Sequence, residues 1–251
     1  FCQVQGTIFP APNFNPVMDA QMLAGALQGF DCDKDVLIDI LTQRSNAQRQ
    51  MIAEAYQGTY GRNLIGDLKE QLSSHFKEVM VGLMYPPPSY DAHELWHAMK
   101  GAGTDENCLI DILASRTNGE ILQMREAYYL RKNIRQEGYG DPAMAAQDAM
   151  VLWEACQQKT GEHKTMLQMI LCNKSAQQLW LVICPVYTDF GFHNKTVIRI
   201  LIARSELDLL TIRKRYKERY GKSLFHDIKN FASGHYKKAL LALCAGDMED
   251  Y

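Results

Sequence analysis

Apolar residues recur along the chain at the three-and-four spacing of helices that bury one face. Leu109, Ile112 and Leu113 make one such face, and Leu167, Ile170 and Leu171 make another. Period-two alternation, the signal of strands, is weak throughout. After each apolar stretch comes a polar pair three positions apart: Ser45/Gln48, Thr117/Glu120, Ser175/Gln178 and Ser205/Asp208. The first three match the capping box, in which a hydroxyl and an acid or amide satisfy the orphan amides of a new helix; the fourth has a shorter acid. These pairs predict an all-α fold with four helix–turn–helix corners, a helix starting at each. They also give the polar residues a structural task, so no chemistry is assigned to them.

The pattern is an internal repeat. Asp19-Ala-Gln-Met-Leu returns as Asp91-Ala-His-Glu-Leu and Asp148-Ala-Met-Val-Leu. Leu37–Asn46 matches Leu109–Asn118, 72 positions on, and shorter echoes occur at Met169–Ser175 and Ile200–Ser205. Tyr60–Lys69 with His75-Phe-Lys matches Tyr220–Lys229 with His235-Tyr-Lys, 160 positions on. The second and third units have no such tail. The corner residue advances by 72 from Arg44 to Arg116, by 58 to Lys174 and by 30 to Arg204. The expected organisation is an N-terminal tail over 1–18 and a complete repeat over 19–90. Truncated repeats over 91–147 and 148–181 follow, then a mostly complete one over 182–251. The shortened repeats keep apolar faces with little to cover them. Each uncovered large side chain forfeits roughly 1.5–3 kcal/mol, against a net domain stability of about 5–15 kcal/mol. A weakened middle third with exposed apolar patches is expected.

Composition adds limits. The net charge of −2 over 251 residues gives no general attraction to nucleic acid or to an anionic membrane, so contact with phosphate must be local or carried by a cation. The apolar run Leu179–Tyr187, interrupted by Pro185, is far short of the ~18 residues that span a bilayer. No signal-peptide pattern is seen. Seven scattered cysteines fit free thiols in a reducing compartment, which predicts a cytoplasmic location. His93-Glu-Leu-Trp-His97 matches a zinc-peptidase pattern. The repeat argues against it: His93 aligns with Gln21 and Met150, His97 with Gly25 and Glu154, and no third ligand stands at a suitable spacing. Lys214, Arg215, Lys217 and Arg219 crowd one stretch, where alternation with Ile212 and Tyr216 favours a solvated amphipathic face over an anion site.

Met99-Lys-Gly-Ala-Gly-Thr-Asp-Glu106, with Leu109-Ile and Ser115-Arg-Thr behind it, resembles the annexin repeat signature. Gly6–Asn13 resembles the approach to the family's first repeat, and Lys237–Gly246 its C-terminal end. The resemblance implies a curved, four-repeat helical disc, here with repeats two and three truncated, whose convex face meets anionic phospholipid. It implies no enzymatic activity and no nucleic-acid partner. Ragged joins near 130–140 and 182–187 look like places where family sequence has been removed, as in an alternatively spliced form.

In that family calcium bridges protein and lipid phosphate, held by carbonyls of a Met-Lys-Gly-x-Gly-Thr loop and a carboxylate about half a repeat downstream; oxygen ligands suit a hard cation. Only the second unit keeps the loop, as Met99, Gly101, Gly103 and Thr104, and the tail that would supply its carboxylate is absent. Asp141 and Asp148 stand at no supporting spacing. In the first unit the loop is Gln28–Cys32 and the carboxylate position falls on Gln71. The third unit reads Lys159-Thr-Gly-Glu-His163. In the fourth the loop is Gly191–Asn194 and the carboxylate position falls on Phe231. Calcium is therefore expected to bind weakly, if the Met99–Thr104 loop is a site at all; with Thr104 as N-cap ahead of two acids, the loop also reads as a plain turn. The alternative function is a calcium-independent helical scaffold that binds a protein partner.

Overall fold

The computed structural model describes residues 5–28, 32–100, 105–135 and 193–245. Every regular element among them is a helix: α1 (Pro16–Gln28), α2 (Lys34–Leu41), α3 (Asn46–Tyr60), α4 (Leu64–Gln71), α5 (Ser74–Met84), α6 (Pro87–Met99), α7 (Glu106–Ser115), α8 (Asn118–Arg135), α9 (Asn194–Arg204), α10 (Leu209–Tyr220), α11 (Leu224–Phe231) and α12 (Gly234–Cys244). The chain forms two compact units, one from residues 1–87 and 192–251 and the other from 88–191. The first contains α1–α5 and α9–α12; the second contains α6–α8.

The corners arise as their sequences imply, with one exception. Ser45 caps α3 through a full capping box: its Oγ accepts from the Gln48 amide (3.3 Å) and its own amide donates to Gln48 Oε1 (3.2 Å). Thr117 and Glu120 do the same for α8, at 3.4 and 2.7 Å. The Ser175 corner lies outside the described residues. At Ser205 no helix starts. Ser205 ends α9, a turn follows, and α10 begins only at Leu209 without a side-chain cap.

Ion pairing accounts for that exception. Arg44 grips Asp19 with Nε (2.7 Å) and Nη2 (3.1 Å), and Arg116 grips Asp91 in the same way at 2.6 and 2.9 Å. Both pairs are 25 residues apart and tie the corner to the first helix of its repeat. Arg204, the corner residue of repeat four, grips Asp208 at 2.7 Å. The carboxylate that would have capped α10 is consumed.

The N-terminal segment does the capping that Asp208 does not. The Leu210 amide, one of the orphan donors of α10, donates to the Gln5 carbonyl at 2.8 Å. Thr7 and Ile8 amides donate to the Ser205 carbonyl, and Thr7 Oγ1 donates to the Leu243 carbonyl at 2.7 Å. Gly6 passes so close that a Cβ there would sit 2.8 Å from the backbone of Ser205 and Glu206. Further on, Ala11 exchanges two hydrogen bonds with the Gln48 side chain. From Gln5 onward the expected tail is thus a strap joining the corners of repeats one and four.

Repeats one and four share one core. α5 packs against α9 and α12, and α12 against α2. Leu64, Leu68, Leu72 and Phe76 close repeat one, as expected of its tail. In repeat four Phe225 and Ile228 are buried and Leu224 and Tyr236 partly so, but Phe231 is 61% exposed. Tyr56 Oη donates to Asp67 (2.7 Å), locking α4 onto α3, and Tyr216 Oη donates to Asp227 (2.6 Å) in the equivalent place.

Among the described residues of the second unit, Ala92, Leu95, Ala98, Cys108, Ile112 and Met124 form a buried apolar cluster. Equivalent positions in the two units differ in burial. Leu41, with α5 packed on its helix, is fully buried, whereas Leu113, its counterpart 72 positions on, is 41% exposed. Leu122 and Leu130 on α8 are also exposed.

Leu41→Ala is expected to cost about 2–5 kcal/mol, as for a filled core site. Leu113→Ala should cost roughly 1 kcal/mol or less, because much of its surface is already in water. Urea unfolding of the two variants checks this, and equal losses would mean that Leu113 is covered in solution. A second expectation concerns acid. Burial pushes the Asp67 carboxyl up, but hydrogen bonds from Arg62 and Tyr56 outweigh it and hold the group below the usual carboxylate value. A depressed pKa contributes stability that is present above the unfolded value, ~3.9, and lost as pH falls through the folded one. Asp67→Asn should therefore destabilise at pH 7, and the gap to the parent should close below about pH 4. A gap that stays constant down to pH 3 would count against this.

Candidate metal-binding loops

In repeats one and two the loop between the first two helices is flanked by matching geometry. The Asp33 amide donates to the Ala26 carbonyl at 3.0 Å and the Asp105 amide to the Ala98 carbonyl at 2.9 Å. Each aspartate then caps the next helix: Asp33 Oδ1 accepts from the Val36 amide (3.3 Å), and Asp105 Oδ1 from the Cys108 amide (3.1 Å). The helix cap in repeat two is therefore Asp105, not Thr104. The carboxylate is well placed against the positive end of the helix dipole, but that same task occupies one of its oxygens. Repeat four differs. The position equivalent to Asp33 and Asp105 is His193, which makes no side-chain cap to α9.

Of the expected loop ligands, Met99 is the last residue of α6 and packs partly against the buried apolar cluster of the second unit. Gly101, Gly103 and Thr104 lie outside the described residues, as do Asp141, Asp148 and the third unit's loop. Lys100 folds its ammonium over the Trp96 ring, 4.5 Å from the centroid, which holds a positive charge beside the one loop whose sequence is intact.

The downstream positions are described. Gln71 is the exposed last residue of α4, and Phe231 the exposed last residue of α11. α4 packs on α1, the helix that leads into the first loop. An amide offers one neutral oxygen and a phenyl ring offers none, so neither supplies the charge that a hard cation requires. Among the described residues no group of three or more His, Cys, Asp or Glu side chains could hold a metal ion.

His93 and His97 sit on one face of α6 with ring centroids 4.4 Å apart, and Trp96 meets His97 edge-on at 4.8 Å. The two imidazoles are adjacent, as the spacing requires, and their rings pack together along one helix.

A chain of repeated helical corners, with this loop between the first two helices of a repeat, is an annexin. The annexin family model matches residues 18–83, 90–134 and 186–243, and the chain belongs to that family. Human annexin A10 is 67% identical over 323 residues, an alignment that covers all of both chains. At 251 residues against those 323, this chain is 72 shorter, the spacing of its own first two repeats. Among solved structures, annexin III is 33% identical with a TM-score of 0.73 and covers 97% of this chain and 98% of its own. Chicken annexin V is 30% identical with a TM-score of 0.75 and covers 97% and 99%.

Zinc is not expected at α6. After preparation in metal-free buffer, elemental analysis should find no stoichiometric zinc; one zinc per chain that disappears in His97→Ala would overturn this reading.

Proposed function

We propose that this annexin is a peripheral phospholipid-binding protein in which calcium dependence is weak or vestigial. Calcium-dependent phospholipid binding is the general property of the family. The observation that carries the finer reading is the pair Gln71 and Phe231. They occupy, in the two repeats with complete tails, the positions where the family pattern asks for a carboxylate. The remaining candidate is the loop Met99, Gly101, Gly103 and Thr104, in a repeat for which the sequence supplies no tail and so no acidic partner. The division into a complete first repeat (19–90), truncated second and third repeats (91–147 and 148–181) and a mostly complete fourth (182–251) belongs to the same proposal. So does a cytoplasmic location with peripheral membrane contact and no enzymatic activity. No helix among the described residues is long and apolar enough to cross a membrane.

A second reading, a helical scaffold for a protein partner, draws on the exposed Leu113, Leu122 and Leu130 of the second unit. Exposed apolar surface favours association.

Co-sedimentation with phosphatidylserine vesicles separates the two. Binding with at most a small calcium-dependent increment supports the first reading, with that increment lost in Gly101→Ala/Gly103→Ala. Absence of vesicle binding in both calcium and chelator favours the scaffold. Two or more submicromolar calcium sites by titration calorimetry would contradict the proposal of vestigial sites.

A further inference from the structure

Repeats one and four are related by a local twofold axis. α5 packs on α9 while α12 packs on α2, so the two contacts exchange helices that are equivalent by the shift of 160 positions. The His75 ring meets Tyr236 at 5.5 Å and the Phe76 ring meets His235 at 6.0 Å, again an exchange of equivalents. Reciprocal contacts of this kind define a twofold. The axis emerges where equivalent residues touch: the Asn46 amide donates to Glu206, its own counterpart 160 positions on. α3 and α10 start at that point. Each turns its buried side, with Ile52 and Tyr56 or Leu209, toward the shared core. They leave the axis in opposite directions and present their outer sides on one surface.

That surface is apolar near the axis and charged further out. Phe9 is exposed on the strap, between the bonds that tie the strap to Ser205 and to Gln48. The outer line of α3 is Ala47, Met51, Glu54 and Gly58, all exposed at the three-and-four spacing of one helical face. The outer line of α10 is Leu207 in the turn before it, then Leu210, Lys214 and Glu218, all exposed. Glu54 and Lys214 are counterparts 160 positions apart, and their charges are opposite. Neither is engaged in an ion pair among the described residues.

Two copies that meet on this surface, with their common twofold perpendicular to the local one, can align in two ways. One lays α3 on α3 and α10 on α10, which opposes Glu54 to Glu54 and Lys214 to Lys214. The other lays α3 on α10 of the second copy, N-terminus beside N-terminus, and sets each residue against its counterpart. Glu54 then meets Lys214, the small Ala47 leaves room for Leu207, and Gly58 faces Glu218 with open space above it. We propose that this surface docks a second copy of the chain in the arrangement that pairs α3 with α10. Phe9 meets Phe9 near the axis and supplies an apolar centre. The charge pairs, formed twice by symmetry, fix the register and exclude the other alignment. Exposed pairs are screened by salt, so the dimer loosens as ionic strength rises. The inference invokes neither lipid nor calcium and stands or falls apart from the proposed function.

Sedimentation equilibrium of the full chain, without vesicles or calcium, tests it. The parent should show a monomer–dimer equilibrium that salt weakens. Glu54→Lys and Lys214→Glu each turn two attractions into two repulsions and should raise the dimer Kd by roughly tenfold or more. Glu54→Lys/Lys214→Glu restores both pairs with the signs exchanged and should return the Kd close to the parent value. Phe9→Ser should weaken the dimer without any change of charge. Thermal melts of each variant establish that the fold is kept. A parent that stays monomeric up to its highest soluble concentration would overturn the proposal. So would a dimer indifferent to both single reversals, which would place the association elsewhere, as on the exposed Leu113, Leu122 and Leu130. Single reversals that weaken the dimer without rescue in the double variant would overturn the pairing of α3 with α10.

Discussion

Arg49 is a positive charge in a place water does not reach. Its guanidinium donates to the carbonyls of Leu41 (2.9 Å) and Arg44 (2.7 Å), the orphan acceptors where α2 gives way to the corner, and to Glu206 (3.2 Å). Burial pulls its pKa down, the Glu206 carboxylate offsets part of that, and the outcome is about 10, so it stays charged at neutral pH. A buried charge is tolerated only when paired and hydrogen-bonded, and removing its partner costs far more than the pair contributes. Glu206 also accepts from the Asn46 amide at 2.6 Å, capping α3 from another repeat. The corner of repeat one is thus incomplete without repeat four, and the shared core around α5 and α12 is the apolar counterpart of that dependence.

The repeat also explains what the site lacks. In the family pattern a calcium site is made of two halves of one repeat, a loop after the first helix and a carboxylate at the end of the fourth. Where this chain keeps the fourth helix, at α4 and α11, the position holds Gln71 or Phe231. Where it keeps the loop sequence, the fourth helix is not in the sequence. Fold and site therefore separate: the apolar side chains that close repeats one and four are nearly all present, while neither repeat has a carboxylate at the position where the family pattern asks for one.

Much of this was legible in the sequence because caps and helix periodicity are local. Ser45/Gln48 and Thr117/Glu120 act as their spacing implies, and the tails beginning at Tyr60 and Tyr220 fold alike. The matched Asp19/Arg44 and Asp91/Arg116 could be seen as recurring letters but not as partners, since a contact across 25 residues depends on the angle between helices. The Ser205 corner misled for the same reason. Asp208 is engaged by Arg204, a pairing that the capping pattern does not show. Phe231 reads as a core residue by its chemistry and lies outside the apolar arc of α11 only by its angular position. The strap at Gln5–Ala11 carries no periodicity, because its contacts are backbone bonds to distant turns. Gly6 was the available signal: a glycine is required there by close approach.

The strap has a consequence for how the molecule is made. Gln5 and Thr7 are synthesised well before their partners, since the carbonyls and amides they bind belong to Ser205, Leu210 and Leu243, far along the chain. Residues 88–191 form a separate unit spliced into the middle of the first one. Repeat one cannot reach its final hydrogen-bonded state during synthesis until α10 and α12 emerge, so its core waits while the intervening hundred or so residues are added. Contacts of such sequence separation close late and slow the overall reaction, and domains that must wait leave apolar surface open in the interval. In this chain the order of translation and the order of assembly run in opposite directions.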